Sequence, residues 1–296
     1  MTTGSPDRTV LSGKEPAAAI RQDTRATAER LTRQGTPPGL AVVVATADES
    51  SAWYVRSIAR AAEKAGIVCE VADLGPDATP DRIRERLLGL SADPAVHGII
   101  LQTPLPEGAN AADLAGAIAF EKDVDGAGPV SLGRLAAGLP AFAPATAEAV
   151  LAVLDHHRID LSGRSVAVVG RSTVVGKPVA HLLLDRDATV TVCHSRTKDL
   201  ASVTSTADIV VAAVGRPRLL TGEYVREGAV VVDVGTNPTE DGGLVGDVDA
   251  ETVGPKAAAL TPVPGGIGPV TTALLLRHTV QAADRAAEGS RNRPPE

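Results

Sequence analysis

Residues 165–197 read SVAVVGRSTVVGKPVAHLLLDRDATVTVCHSRT, and the fold class is most legible here. A near-continuous apolar run, Ser165 to Val169, enters a loop that starts at Gly170. A helix-like segment follows from Pro178, and a second apolar run spans Ala188 to Val192. That order is the opening of a βαβ unit. Its first loop turns backbone N–H groups and a helix N-terminus toward one point, so the pyrophosphate of a dinucleotide is the natural guest.

The loop departs from both common phosphate-binding patterns. A P-loop needs a hydroxyl after its lysine, whereas Lys177 is followed by Pro178, which offers no ligand to magnesium. The G-x-G-x-x-G spacing is absent too; the glycines are Gly170 and Gly176. The end of the second strand discriminates further. An NAD site places an acid there for the ribose 2′-hydroxyl, but the chain reads Cys193-His194-Ser195-Arg196-Thr197. Hydroxyls and a cation with no acid suit a 2′-phosphate, hence NADP. The alternative is an ordinary polar turn after a strand.

Strand and helix also alternate before this unit. A helix over Glu15–Gln34 precedes a β-branched strand at Gly39–Ala45. Then come helix Ala52–Ala65 closed by Gly66, strand Val68–Leu74, helix Pro80–Leu90 and strand Gly98–Leu101. This reads as a small parallel sheet with helices on its faces. Ligands of such sheets sit beyond the carboxyl ends of the strands, which selects Gln102-Thr103-Pro104-Leu105-Pro106, the turn Glu121–Gly126, and Tyr54. A connecting helix, Pro144–His157, leads into the cofactor unit. Strands at Asp208–Val214, Ala229–Val234 and Ala257–Leu260 follow. The segment Thr261–Pro269 is too rich in Pro and Gly for a plain linker; it serves either close backbone approach to a ligand or a strained interdomain turn. Helix Val270–Ala287 then returns to the first domain.

Composition limits the function. The 296 residues, 44% hydrophobic, suffice for two globular domains. A net charge of −7 and 2% aromatic residues disfavour nucleic acid, which wants a basic stripe or stacking platform. Cys69 and Cys193 sit far apart in or beside strand-like runs, as reduced thiols of a cytoplasmic protein do. His156 and His157 are adjacent rather than spaced for a metal, and no metal is expected. No apolar run reaches the roughly 18 residues of a membrane span, and the N-terminus lacks the build of a signal peptide.

Several motifs, in order, resemble one family over nearly the whole chain: Ser51-x-x-Tyr54-Val55, Gln102-x-Pro104-Leu105-Pro106, Lys122-Asp123-Val124-Asp125-Gly126, Gly170-Arg171-Ser172 with Val175-Gly176-x-Pro178, and Thr261–Pro269 followed by Thr271. The family is that of the bifunctional methylenetetrahydrofolate dehydrogenase/methenyltetrahydrofolate cyclohydrolases of one-carbon metabolism and purine biosynthesis. The resemblance implies two α/β domains with a cleft between them, usually in a homodimer. Residues 1–146 would form a folate domain completed by helix 270–288, residues 147–269 a Rossmann-type NADP domain, and residues 289–296 a frayed tail.

By the same resemblance Asp125 would accept two N–H bonds from the pterin edge, Tyr54 would pack on its face, and Gln102 would orient the catalytic amine. Pro104, Leu105, Gly265, Gly266 and Pro269 would complete the folate site. Gly170, Arg171, Ser172, Gly176, Pro178 and Thr236 would hold NADP, with Arg171, Ser195 and Arg196 on its 2′-phosphate.

One position departs from the family. Its motif is Tyr-x-x-x-Lys, and this chain has Tyr54-Val55-Arg56-Ser57-Ile58. In that family the lysine is the main acid/base group, an amine whose pKa desolvation lowers toward neutrality. Isoleucine has no proton to exchange. Arg56 and Arg60 are poor substitutes, because guanidinium stays protonated. Pro144–Ala149 and Ala45–Glu49 also drift from the family pattern. The expected activity is therefore NADP-dependent oxidation of 5,10-methylenetetrahydrofolate with cyclohydrolase activity weak or lost. Alternatives are a fully bifunctional enzyme using another group, such as water held by Gln102 and Asp125, a silent folate- and NADP-binding relative, and a reductase for another heterocycle.

Overall fold

A computed structural model describes residues 9–239 and 241–291. Strand β1 (Thr9–Val10) and helix α1 (Lys14–Arg33) open it. Then come β2 (Gly39–Val44), α2 (Glu49–Lys64), β3 (Val68–Asp73), α3 (Pro80–Ala92) and β4 (Gly98–Leu101). Two short helices, α4 (Ala111–Ala115) and α5 (Pro129–Ala136), precede α6 (Ala145–His156). The strand–helix alternation resumes with β5 (Ser165–Val169), α7 (Gly176–Leu184), β6 (Thr189–Cys193), α8 (Leu200–Thr204), β7 (Ile209–Ala212) and β8 (Val230–Asp233). A hairpin, β9 (Asn237–Pro238) and β10 (Leu244–Val245), is followed by α9 (Ala250–Val253), β11 (Ala259–Leu260) and α10 (Ile267–Arg291). None of the described helices is long and apolar enough to cross a membrane.

The chain divides into two compact units. One joins residues through Ala17 to Thr146–Thr271; the other joins Ala18–Ala145 to the segment from Thr272. In the latter, a parallel sheet has the order β3-β2-β4. Every residue of central strand β2 is buried, as expected where helices cover both faces. Helix α3 starts with Thr79 accepting from the Arg82 N–H and with Pro80 in its first turn, where a missing N–H costs nothing. It buries Ile83, Leu87 and Leu90 at the i, i+4, i+7 spacing of one helical face, against Ala41, Val43 and Ile99. Edge strand β3 leaves Val68 and Val71 exposed.

The other unit holds a six-stranded sheet of order β1-β11-β8-β7-β5-β6, parallel throughout. Strand β5 is the pivot, with β6 on one side and β7 on the other. The strand order reverses there, and in such sheets the crevice beyond the carboxyl ends at that reversal is the ligand site.

Four expectations need correction. Residues through Ala17 group with the six-stranded unit, because β1 pairs with β11 (Thr9↔Ala259); two exposed residues carry too little pattern to show this in sequence. Helix α2 begins at Glu49 rather than Ala52, since Asp48 accepts the Ser51 N–H at 2.7 Å and caps it. Helix α10 begins at Ile267, inside the Pro- and Gly-rich segment. It also continues through residues 289–291, so the frayed tail read at 289–296 does not start at Gly289; residues 292–296 lie outside the described ones.

Candidate active site and cofactor cradle

In the unit built from Ala18–Ala145, the polar groups gather beyond the ends of β2 and β4. Gln102 follows β4, held by its N–H on the Val43 carbonyl (2.9 Å). Its side-chain amide donates to the Thr103 carbonyl at 2.6 Å, and Ser51 Oγ donates to the same carbonyl at 3.2 Å. The start of α2 is thereby tied to the turn carrying Pro104 and Leu105. Tyr54, on α2, is hydrogen-bonded to the Thr272 side chain; burial and the Asp125 charge push its phenol up to about 12, so it remains a neutral ring.

Asp125 sits in the turn between α4 and α5, which Asp123 bridges to Ile99 of β4. Burial, and next the Asp123 charge, push the Asp125 carboxyl up to about 7, against the pull of His278 and the Ala145 N–H. The turn is rigidly built. Asp123 accepts from the Ala127 and Gly128 N–H groups (3.2 and 2.9 Å) and from Ser131 Oγ (2.5 Å). Gly126 has φ +63°, and a Cβ there would lie 2.4 Å from the Phe142 carbonyl oxygen. Only glycine meets both demands.

Sequence reasoning missed His278. It is 2% exposed, its Nδ1 lies 2.8 Å from the Val124 carbonyl oxygen, and its ring stacks on Phe142 at 4.9 Å. The available signal was a titratable residue on the buried stripe Thr271, Leu274, Leu275, His278 of α10. Ile58 lies one turn beyond Tyr54 and is 0% exposed.

The six-stranded unit carries the cradle. Gly170 ends β5 with φ +129°, and a Cβ there would lie 2.0 Å from the Ala213 carbonyl oxygen beyond β7. Gly176 lets α7 start against the Gly170 carbonyl, 2.2 Å from where its Cβ would be. Between them Ser172 Oγ accepts from the Val175 and Gly176 N–H groups (3.1 and 3.4 Å). Pro178 is buried in the first turn of α7, while Arg171 and Ser172 are exposed. Beyond β6, the Thr197 hydroxyl accepts the His194 N–H (2.9 Å) and His194 Nδ1 the Arg196 N–H (3.1 Å); Ser195 and Arg196 are exposed. The cradle thus presents a helix N-terminus, small residues and cations, which fits the anionic groups of NADP. Gly170→Ala should destabilise the protein by about 3 kcal/mol from backbone strain and the clash, with NADP affinity lost in parallel; denaturant unfolding and NADP titration measure both.

A buried pair of acids, also missed, braces the neighbouring loops. Asp247 is 0% exposed and accepts from the N–H groups of Val214, Gly215 and Arg216 (2.6, 2.9 and 2.9 Å) and from Asn237 Nδ2 (2.9 Å). Asp233 accepts from the Gly235, Asp247 and Val248 N–H groups, all at 2.9 Å. These bonds define the loop that carries Thr236. Asp247→Ala should cost about 3 kcal/mol, because one buried and three partly buried donors lose their acceptor together; denaturant unfolding reads this directly.

The segment Thr261–Pro269 makes its close backbone approach to the chain itself. The Gly13 N–H donates to the Gly265 carbonyl at 2.9 Å, and a Cβ on Gly13 would lie 1.8 Å from the Gly266 oxygen. Thr261 Oγ1 accepts the Asp233 N–H at 2.7 Å. Pro269 falls within the first turn of α10.

Comparison with known proteins agrees with both halves. Residues 11–125 match the tetrahydrofolate dehydrogenase/cyclohydrolase catalytic domain, and residues 144–287 match the NAD(P)-binding domain of the same family. The bifunctional protein FolD 1 of Saccharopolyspora erythraea is 67% identical over 93% of this chain and 94% of its own. The crystal structure of the bifunctional enzyme FolD of Campylobacter jejuni superposes with a TM-score of 0.91 at 40% identity, covering 94% of this chain and 99% of that one. The Trypanosoma brucei dehydrogenase–cyclohydrolase, solved with NADP cofactor and inhibitor, gives 0.90 at 36%, over 95% and 99%. With a matching profile over each half and relatives aligned along nearly their full lengths, this chain belongs to the tetrahydrofolate dehydrogenase/cyclohydrolase family.

Proposed function

We propose that this NADP-binding enzyme oxidises 5,10-methylenetetrahydrofolate to 5,10-methenyltetrahydrofolate and hydrolyses that product to the 10-formyl compound weakly or not at all. The observation that carries this reading is Ile58: a fully buried alkyl group one helical turn from Tyr54, where the family resemblance calls for an amine. Neighbouring cations do not replace it. Arg56 and Arg60 line a different face of α2, and Lys122 donates to the Asp93 carbonyl at 2.6 Å.

In this reading Asp125 receives the pterin 2-amino and N3–H groups, Tyr54 covers the ring, and Gln102, with Pro104 and Leu105, fixes its orientation. Gly265, Gly266 and Pro269 are included on the resemblance alone. Gly170, Arg171, Ser172, Gly176 and Pro178 cradle the pyrophosphate, Thr236 lies on the loop braced by Asp247, and Arg171, Ser195 and Arg196 meet the 2′-phosphate. When bound, NADP supplies the hydride acceptor. The protein's part is alignment of carbon against carbon, which needs no ionising side chain at Ile58. Hydrolysis needs a base to take a proton from water. The two steps therefore depend unequally on this position.

A second reading keeps both activities. The carboxyl of Asp125, pushed up to about 7, is matched to proton transfer near neutral pH, and with Gln102 it could hold the attacking water. The Saccharopolyspora relative is called a bifunctional protein and the Campylobacter enzyme a methylenetetrahydrofolate dehydrogenase/cyclohydrolase, which favours it. The reading also includes a homodimer, to which the exposed Val68 and Val71 of edge strand β3 offer an apolar surface, and a reducing cytoplasmic setting for the free Cys69 and Cys193. The test is NADPH formation from 5,10-methylenetetrahydrofolate and NADP. Steady formation, reduced by Arg196→Gln with NADP but not with NAD, supports the assignment; none, with both ligands bound, contradicts it.

A further inference from the structure

Five cations converge on one groove of the unit built from Ala18–Ala145. Arg21 and Arg25 on α1 and Arg56, Arg60 and Lys64 on α2 line a space of about 640 Å³, with Trp53 at its side and no carboxylate in its walls. On α2 the residues Trp53, Arg56, Arg60 and Lys64 are three to four apart and share one helical face. Tyr54 and Ile58 lie on another.

The groove is a local cluster of positive charge on an acidic chain. The chain's formal net charge is −7, and five arginines outside the groove meet carboxylates: Arg30 with Asp284, Arg86 with Glu70, Arg186 with Asp155, and Arg164 and Arg226 with Asp208. Among the described residues none of the five groove cations has such a partner in an ion pair. Like charges held together without a counter-charge repel, so the arrangement lowers stability unless an anion enters. Trp53, the single tryptophan of the chain, is 63% exposed at the same groove, so its indole face is open to a ligand.

We propose that this groove is a second ligand site, binding a nucleoside polyphosphate apart from the NADP cradle. Guanidinium forks match phosphate oxygens in pairs, which favours phosphate over isolated carboxylates. The indole offers a stacking face to a base. The volume lies in the range of small-molecule sites, roughly 300–1,000 Å³. A free nucleotide is the occupant rather than a nucleic acid, since the acidic remainder of the surface repels a long phosphate chain.

The unique tryptophan makes the test direct. ATP and GTP are titrated into the full-length protein with NADP already saturating, and Trp53 fluorescence is followed. A saturable change that is weakened at least about tenfold in Arg56→Gln/Arg60→Gln and in Arg21→Gln/Arg25→Gln, but not in the ion-paired control Arg186→Gln, supports the site. The two double variants should unfold at the same or a higher temperature than the parent, because they relieve repulsion; loss of a merely structural arginine would lower it. The proposal is overturned by any of four results: no saturable change, an unaltered change in the double variants, displacement by NADP, or tighter binding of a single-stranded oligonucleotide than of ATP. Equal binding of inorganic tripolyphosphate and ATP would overturn the stacking role of Trp53.

Discussion

Replacing Ile58 by lysine should raise hydrolysis of 5,10-methenyltetrahydrofolate by roughly 10²–10⁴-fold, the range of a positioned acid/base group, while changing NADPH formation little. The position is 0% exposed, so an amine placed there is desolvated. Its charged form is disfavoured and its pKa falls toward neutrality, the condition for taking a proton from water at working pH. The same burial makes the variant less stable by several kcal/mol, and activity must be read on the folded fraction. Ile58→Met separates amine from disturbance. It keeps volume and apolarity at a cost under about 1.5 kcal/mol, and it should leave hydrolysis where it was. A gain in the methionine variant, or none in a folded lysine variant, removes this position from the chemistry.

If Asp125 receives the pterin edge as proposed, Asp125→Asn should weaken folate binding by roughly 10²–10⁴-fold, since two hydrogen bonds to a charged acceptor would be lost and an amide N–H₂ would face pterin donors. The pH dependence carries its own sign. The carboxyl titrates at about 7 in the folded protein against an ordinary value of 3.8. It must ionise to accept both N–H groups, so parent affinity should fall about tenfold per pH unit below about 7. The Asp125→Asn variant, with no carboxyl to titrate there, has no such dependence. Stability of the free protein runs the opposite way. A carboxyl raised by burial favours the protonated fold, so its contribution is complete below the ordinary value and is lost as pH rises through about 7. Comparing thermal unfolding of parent and Asp125→Asn from acid to neutral pH checks this, and calorimetric folate titration over the same range checks the binding.

Much of this architecture was legible in residue patterns because buried parallel strands announce themselves. GLAVVV and SVAVV are apolar runs of strand length bounded by turn residues, and they are β2 and β5. Elements whose stability comes from elsewhere were not legible. Strand β1 is two exposed residues held by pairing with β11, and a pair of residues has no periodicity. The start of α10 within the Pro- and Gly-rich segment was hidden because Gly268 and Pro269 read as helix breakers, although proline is at home in a first turn. Within the site, Tyr54, Gln102 and Asp125 follow from the rule that ligands lie beyond strand ends. The braces do not. Asp123, Asp233 and Asp247 act by accepting backbone N–H bonds across loops, and a loop aspartate in sequence carries no mark of which donors will surround it. Ile58 is a related case: by pattern it is an ordinary core residue, and it is informative only through the resemblance, which implies an amine there.

An alkyl group at Ile58 should uncouple two consecutive reactions. The most direct measurement is one incubation of purified protein with 5,10-methylenetetrahydrofolate and NADP, following NADPH, the methenyl product and the 10-formyl product together. NADPH and methenyl product should rise in step, with the formyl compound appearing only at the rate seen without protein. Formyl product rising in step with NADPH, with little methenyl compound accumulating, would contradict that uncoupling and transfer the base to another group, with Asp125 the first to be tested.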